Sequence, residues 1–84
     1  MSSESAPLSP VDFSTFVVSL ASNVMMHLDE KEGVNLPLAK HTIDILSMLE
    51  KKTAGNLGPD EEKLLKSVLY QVRMSYVKRS KDAV

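Results

Sequence analysis

The chain has 84 residues, a formal net charge of −1 and no cysteine. A chain of this length forms at most one small domain. Its core is thin, because only roughly 60–65% of its unfolded surface becomes buried. Disulfides and thiolate metal sites are excluded, so a second subunit is the reinforcement that we expect for so thin a core. The near-neutral charge argues against a dedicated nucleic-acid-binding protein.

The chain begins with a Ser/Pro-rich segment of low apolar content, "MSSESAPLSP". This composition predicts a disordered N-terminal tail over residues 1–11. The segment does not combine a basic region, an apolar run and a cleavage site, so we expect no secretory signal. With the absence of cysteine, this favours a cytoplasmic location. We expect a single helical domain over residues 12–79 and a frayed basic tail over residues 80–84.

The first predicted helix runs from Phe13 to Leu28, with Asp12 as its N-cap. Its apolar residues cover an arc of roughly 200°. They are Phe13, Phe16, Val17, Val18, Leu20, Ala21, Val24, Met25 and Leu28. No residue from 13 to 28 is charged, which predicts a helix buried on more than one side. It is too short and too polar to span a membrane, which takes about 20 apolar residues.

The second predicted helix begins at Leu36 or Pro37 and ends at Ala54. Asn35 is its expected cap, and proline is tolerated in a first turn because its missing N–H leaves no helical bond unmade. Gly55 follows as the expected stop residue. The apolar face is about 160° wide, which predicts a helix with one buried side.

The third predicted helix starts at Pro59, after Gly58 as N-cap, and runs to about Arg79. Acidic residues in its first turn and basic residues in its last complement the helix dipole. Its main apolar face consists of Leu65, Val68, Leu69, Val72 and Tyr76. The short connection predicts an antiparallel hairpin with the second helix. The expected fold is therefore all-α, an antiparallel helical hairpin plus an N-terminal helix, forming an oligomeric three-helix bundle.

A second apolar stripe lies on the third helix, about 140° around from the first. It consists of Tyr70, Met74 and Val77, with Lys63, Lys66 and Arg73 beside it. Either the first helix covers this stripe within the chain, or the stripe or the surplus surface of the first helix meets another subunit or a partner protein, since monomers rarely leave large apolar patches exposed. Both hold if helices exchange between chains. We expect no cofactor and a homodimer or higher oligomer. The predicted interface is Phe13, Phe16, Val17, Leu20, Val24, Met25, Tyr70, Met74 and Val77.

The basic end of the third helix favours an alternative, contact with RNA or the ribosome. The candidate phosphate contacts are Lys66, Arg73, Lys78, Arg79 and Lys81. The segment lacks the interleaved aromatic residues that binders of single strands use. Nucleic acid is therefore the less supported partner, and a solvated helix end is the plainer interpretation.

Catalytic and metal-binding motifs are not found in the sequence. The two histidines, His27 and His41, do not form an HExxH motif or an i,i+4 pair. His41 falls at the margin of an apolar face, and His27 falls at the end of the first helix, where a cation suits the dipole. Glu61 and Glu62 are paired carboxylates, but their place in a first turn favours capping. We therefore predict no enzyme, no catalytic residue and no metal site.

Three stretches together resemble a known family. They are "FSTFVVSLASNVMMHL", "VNLPLAKHTIDILSMLEKKTAGNL" and "PDEEKLLKSVLYQVRMSYV". The combination is similar to domain of unknown function 1844 (DUF1844), a small bacterial family. The resemblance implies an all-helical cytosolic protein with no assigned activity, and it provides no catalytic residue. The chain departs from the family pattern at Gly58, where threonine is commoner, and in the short loop "DEKEGVN".

The function expected from the sequence is that of a non-enzymatic interaction or scaffold module. It would self-associate through the first helix and the apolar faces of the other helices. An accessory RNA- or ribosome-associated factor is the alternative.

Overall fold

The computed structural model describes residues 12–82, and within them it contains three helices and no strand. Helix α1 spans Phe13–His27, α2 spans Leu36–Lys52 and α3 spans Pro59–Asp82. The predicted all-α class is confirmed. The predicted tail over residues 1–11 lies outside the described part of the chain, as do residues 83–84.

The start of each helix follows from a local capping interaction. Asp12 accepts a hydrogen bond from the backbone N–H of Thr15 at 2.7 Å, and Asn35 accepts one from that of Leu38 at 3.1 Å. At α3 the direction is reversed, because the backbone N–H of Gly58 donates to Glu61 at 2.8 Å. These bonds pair N–H groups at the helix starts that have no helical partner.

Helix α2 ends at Lys52, two residues before the predicted end. Thr53 follows as the cap, and both its backbone N–H and its hydroxyl donate to the carbonyl of Leu49, at 2.9 and 2.7 Å. Gly55 lies in the turn beyond, with φ of +84°. The prediction that Gly55 ends the helix is therefore wrong, because Thr53 caps α2 two residues earlier.

Helix α3 continues to Asp82, three residues beyond its predicted end at Arg79. No glycine or proline follows Pro59 to stop it, and an ion pair between Arg79 and Glu30 holds its last turns against the α1–α2 loop. The predicted boundary at residue 80 therefore falls inside a helix.

The core lies where the three helices meet, and each helix packs against both of the others. The predicted antiparallel hairpin with α1 packed on it is confirmed. The buried apolar residues are Val17, Val24 and Leu28 before α2, Ala39, Ile43 and Leu46 on α2, and Leu65, Val68, Leu69 and Val72 on α3. This core leaves one side of each helix facing outward, and those sides carry the candidate functional surfaces.

Candidate functional site

Several residues of the predicted interface lie on the inward side of α1, which packs against the core of the same chain. Val17 and Val24 have no exposed surface, so within this fold they contact only their own chain. Phe13 and Leu20 are half-buried and pack against the same core. A partner can therefore reach few of the α1 residues in the predicted interface, chiefly Phe16 and Met25.

The outward side of α1 is exposed and uncharged. Its members are Thr15, Phe16, Val18, Ser19, Ser22, Asn23, Met25 and Met26, and we call them the α1 outer face. The four large apolar side chains among them are 47–52% exposed. The chain thus buries one side of α1, whereas the sequence predicts burial on more than one.

The second stripe of α3 is not covered by α1. Tyr70, Met74 and Val77 are 67%, 53% and 46% exposed, and we call these three residues the α3 stripe. Their spacing of i, i+4 and i+7 places them along one side of the helix, opposite the buried Leu65 and Val72. The intrachain explanation for this stripe is therefore wrong, and the explanation through a partner stands as a prediction.

Three of the candidate phosphate-binding residues have partners within the chain. Lys66 lies 3.3 Å from Glu62, and the Arg73 guanidinium donates to the hydroxyl of Ser47 at 2.6 Å. Arg79 pairs with a carboxylate oxygen of Glu30 at 2.5 Å. The other two, at positions 78 and 81, are exposed, and no carboxylate of residues 12–82 pairs with them.

An open groove of about 420 Å³ joins the end of α1 to the end of α3. Met25 and Leu28 provide its apolar wall, and Asp29, Lys78 and Arg79 its charged rim. The groove therefore connects the α1 outer face with the basic end of α3.

The two histidines and the paired carboxylates all lie on helices. His41 is exposed on α2, and His27 is half-buried in the last turn of α1. Glu61 accepts the capping bond from Gly58, and Glu62 pairs with Lys66. Across residues 12–82 no three His, Cys, Asp or Glu side chains are grouped closely enough to hold a metal ion.

Two of the four large apolar residues of the α1 outer face, Val18 and Met26, are not among the predicted interface residues. Val18 falls inside the wide apolar arc, and Met26 falls among the polar residues opposite it. The sequence alone gives no signal for them, because α1 has no charged residue that marks an outward side. In the structure Val17, Val24 and Leu28 are buried, at i, i+7 and i+11. This spacing defines a narrow inward stripe, and Val18 and Met26 lie outside it.

Comparison with known proteins gives a family but no characterised relative. No curated protein matches the chain, and no solved structure matches it. In the described residues no helix combines the length and apolar character needed to cross a membrane. The family model described as "Domain of unknown function (DUF1844)" matches residues 10–78, which is most of the chain. The chain therefore belongs to the DUF1844 family.

Proposed function

We propose that the protein is a non-enzymatic helical interaction module that self-associates through the α1 outer face. One observation carries the proposal. Four large apolar side chains on that face are 47–52% exposed, in a helix that has no charged residue between Phe13 and His27. An exposed helix side ordinarily carries charge, since charged residues keep it in water and keep chains apart.

The chemistry of this face suits contact with a second copy. A two-fold interface brings the same patch of both copies together, so charges on the patch would face like charges. The α1 outer face has none. Its central residues Ser19 and Ser22 are small, and Phe16, Val18 and Met25 flank them, so two helix backbones could approach closely while the larger side chains pack at the sides. Burying these side chains would enlarge a core that one short chain leaves thin.

The α3 stripe is a second exposed apolar surface, and the proposed self-association does not include it. Five members of the predicted interface remain about half exposed or more: the three residues of the α3 stripe, Phe16 and Met25. The proposal includes a cytoplasmic location, which rests on the cysteine-free sequence.

Size-exclusion chromatography with light scattering tests the proposal on the full chain. We expect a dimer or larger species at tens of micromolar protein that dissociates on dilution. A monomer with a cooperative melt over the whole range, up to hundreds of micromolar, would contradict it.

Two matched serines separate the α1 outer face from the rest of the surface. Ser22 lies between Val18 and Met25 on α1, and Ser67 lies one turn before Tyr70 on α3; both are exposed. Ser22→Glu should shift the species to monomer while helicity by circular dichroism is retained, because it places a charge in an apolar contact. Ser22→Gln adds the same bulk without charge and should disturb association less. Ser67→Glu should leave association unchanged.

The second candidate function is an accessory factor that contacts RNA or the ribosome. The observation in its favour is that residues 63–81 carry six basic side chains and no acidic one. Lys78 and Lys81 would be its main phosphate contacts, because Arg73 and Arg79 are engaged within the chain. Exposed lysines bind phosphate through charge alone, so this binding would weaken steeply with salt.

Retention on heparin tests this second candidate. Wild-type protein should be retained at low salt, and Lys78→Ala combined with Lys81→Ala should elute earlier. Lys51→Ala with Lys52→Ala removes the same charge from the end of α2 and serves as the control. If wild-type protein that has been purified free of nucleic acid passes through the heparin column without being retained, this candidate is ruled out.

A further inference from the structure

We infer that the α3 stripe docks an acidic amphipathic helix of a different protein. This inference goes beyond the proposed self-association and uses a different face of the molecule, so it stands or falls independently of it.

The geometry of the stripe matches one side of a partner helix. Tyr70, Met74 and Val77 follow one another over two turns of α3, about 10 Å along the helix axis at 1.5 Å per residue. All three are about half exposed or more. A helix laid against such a row contacts it with residues spaced i, i+3 or i+4 and i+7, the usual mode of helix recognition.

Positive charge surrounds the stripe. At 100° per residue, Lys63, Lys66, Arg73 and Lys81 lie on the same side of α3 as Tyr70 and Val77. No acidic residue occurs from position 63 to 81. Two of these cations have partners within the chain. The Arg73 guanidinium donates to the uncharged hydroxyl of Ser47, and Lys66 pairs with Glu62 at 3.3 Å, where both side chains are more than half exposed. Such an exposed pair is weak and can exchange partners. These four cations, which we call the α3 rim, therefore favour aspartate or glutamate on the partner.

A second copy of this chain fits the stripe poorly. If two α3 helices packed antiparallel through their stripes, Lys66 of one copy would lie opposite Lys81 of the other. A parallel arrangement would place Lys66 opposite Lys66. Either arrangement brings like charges together, which disfavours the pairing.

Nucleic acid also fits the stripe poorly. Phosphates would satisfy the rim, but they would leave Met74 and Val77 without apolar contact. The stripe contains one aromatic ring, Tyr70, whereas binders of single strands stack successive bases on several rings. An acidic helix with apolar residues on one side satisfies the rim and the stripe together.

The test uses a labelled synthetic helix with leucine at i, i+4 and i+7 and glutamate beside each leucine. Its binding to the full chain is followed by fluorescence anisotropy. We expect binding that weakens by roughly tenfold or more with Tyr70→Ser plus Val77→Ser, and similarly with Lys66→Gln plus Lys81→Gln. Ser67→Glu should weaken binding as well, whereas Ser22→Glu should leave it unchanged. All substituted residues have exposed or half-exposed side chains, and circular dichroism checks that each variant folds.

Two control peptides and an RNA separate the alternatives. A peptide with lysine in place of glutamate, and one with serine in place of leucine, should both bind at least roughly tenfold more weakly than the acidic helix. Equal binding of either would overturn the inference, as would no binding of the acidic helix. Tighter binding of single-stranded RNA, unaffected by Tyr70→Ser plus Val77→Ser, would assign the face to phosphate. Loss of self-association in that same double variant would assign it to a second copy.

Discussion

The outward sides of α1 and α3 are both partly apolar, but they differ in charge. The α1 outer face has no charged residue, and its central row is Thr15, Ser19, Ser22 and Met26. The α3 stripe lies among lysines and arginines, and its segment carries no acid from position 63 to 81. An uncharged face can meet a copy of itself without repulsion, whereas a basic face requires a partner of opposite charge. This difference is the reason for proposing two different kinds of contact for one chain.

The largest expected effect separates the inward from the outward side of each helix. Val24 and Val72 are buried, while Val18 and Val77 on the same two helices are 48% and 46% exposed. Val24→Ala and Val72→Ala should each lower the free energy of unfolding by roughly 1–3 kcal/mol, through lost burial and a cavity. Val18→Ala and Val77→Ala should change it by less than about 0.5 kcal/mol. Thermal melts of dilute protein measure all four.

The outcome at Val18 also reports on self-association. If α1 faces are paired, Val18→Ala should destabilise concentrated protein more than dilute protein, because association stabilises the folded state by mass action. Val77→Ala should show no such dependence. Equal behaviour of these two variants at every concentration would remove the contrast between the faces.

Ionic strength should weaken the contact of the α3 stripe with an acidic helix but not the self-association through the α1 outer face. At about 1 M salt the Debye length is near 3 Å, so the attraction between the α3 rim and an acidic helix should be screened. We expect that contact to weaken by a factor of about ten, corresponding to roughly 1.4 kcal/mol. Self-association through α1 should remain or strengthen, because it rests on apolar burial. Anisotropy and light scattering on one salt series would show this, and a parallel loss of both contacts would contradict it.

A smaller effect is expected at the ion pair between Glu30 and Arg79. Glu30 is exposed while Arg79 is partly buried, so Glu30→Gln should lower the free energy of unfolding by roughly 0.2–1 kcal/mol. The same change frees a cation near the basic end of α3, so the acidic helix should bind slightly more tightly. A double-mutant cycle with Arg79→Gln isolates the pair, and a zero coupling energy would show that it adds no stability.

The smallest effect is expected from pH at the start of α1. The hydrogen bond from the Thr15 backbone N–H, aided by the Thr15 side chain, holds the pKa of Asp12 below its ordinary value of 3.8. Because the pKa is lowered in the folded state, the charged cap contributes its full stabilisation at pH values above the ordinary pKa of 3.8. This contribution is lost as the pH falls from there through the lowered pKa of the folded state. Asp12→Asn keeps the cap without the titration. The wild-type protein should therefore lose melting temperature relative to Asp12→Asn only below about pH 4. A difference that grows toward neutral pH would have the wrong sign.

Local residues were sufficient to predict where the helices begin and which side of α3 faces inward. Asp12, Asn35 and Glu61 form capping bonds with neighbours three residues away, so the sequence around them contains all that is needed. Most charged residues of α3 lie on the side opposite its apolar face. That apolar face, with Leu65 and Val72, is buried as predicted.

The orientation of α1 was decided only by tertiary packing. A helix without charged residues has no marked outward side, and a wide apolar arc can be turned toward the core in several ways. Contacts with α2 and α3 select Val17 and Val24 for the core and leave Val18 and Met26 outside. In the same way, only the position of α1 shows that the α3 stripe stays exposed. The sequence by itself thus determined the helices and the family pattern. The arrangement of the helices determined which apolar residues remain exposed, because burial depends on neighbours that are distant in the chain.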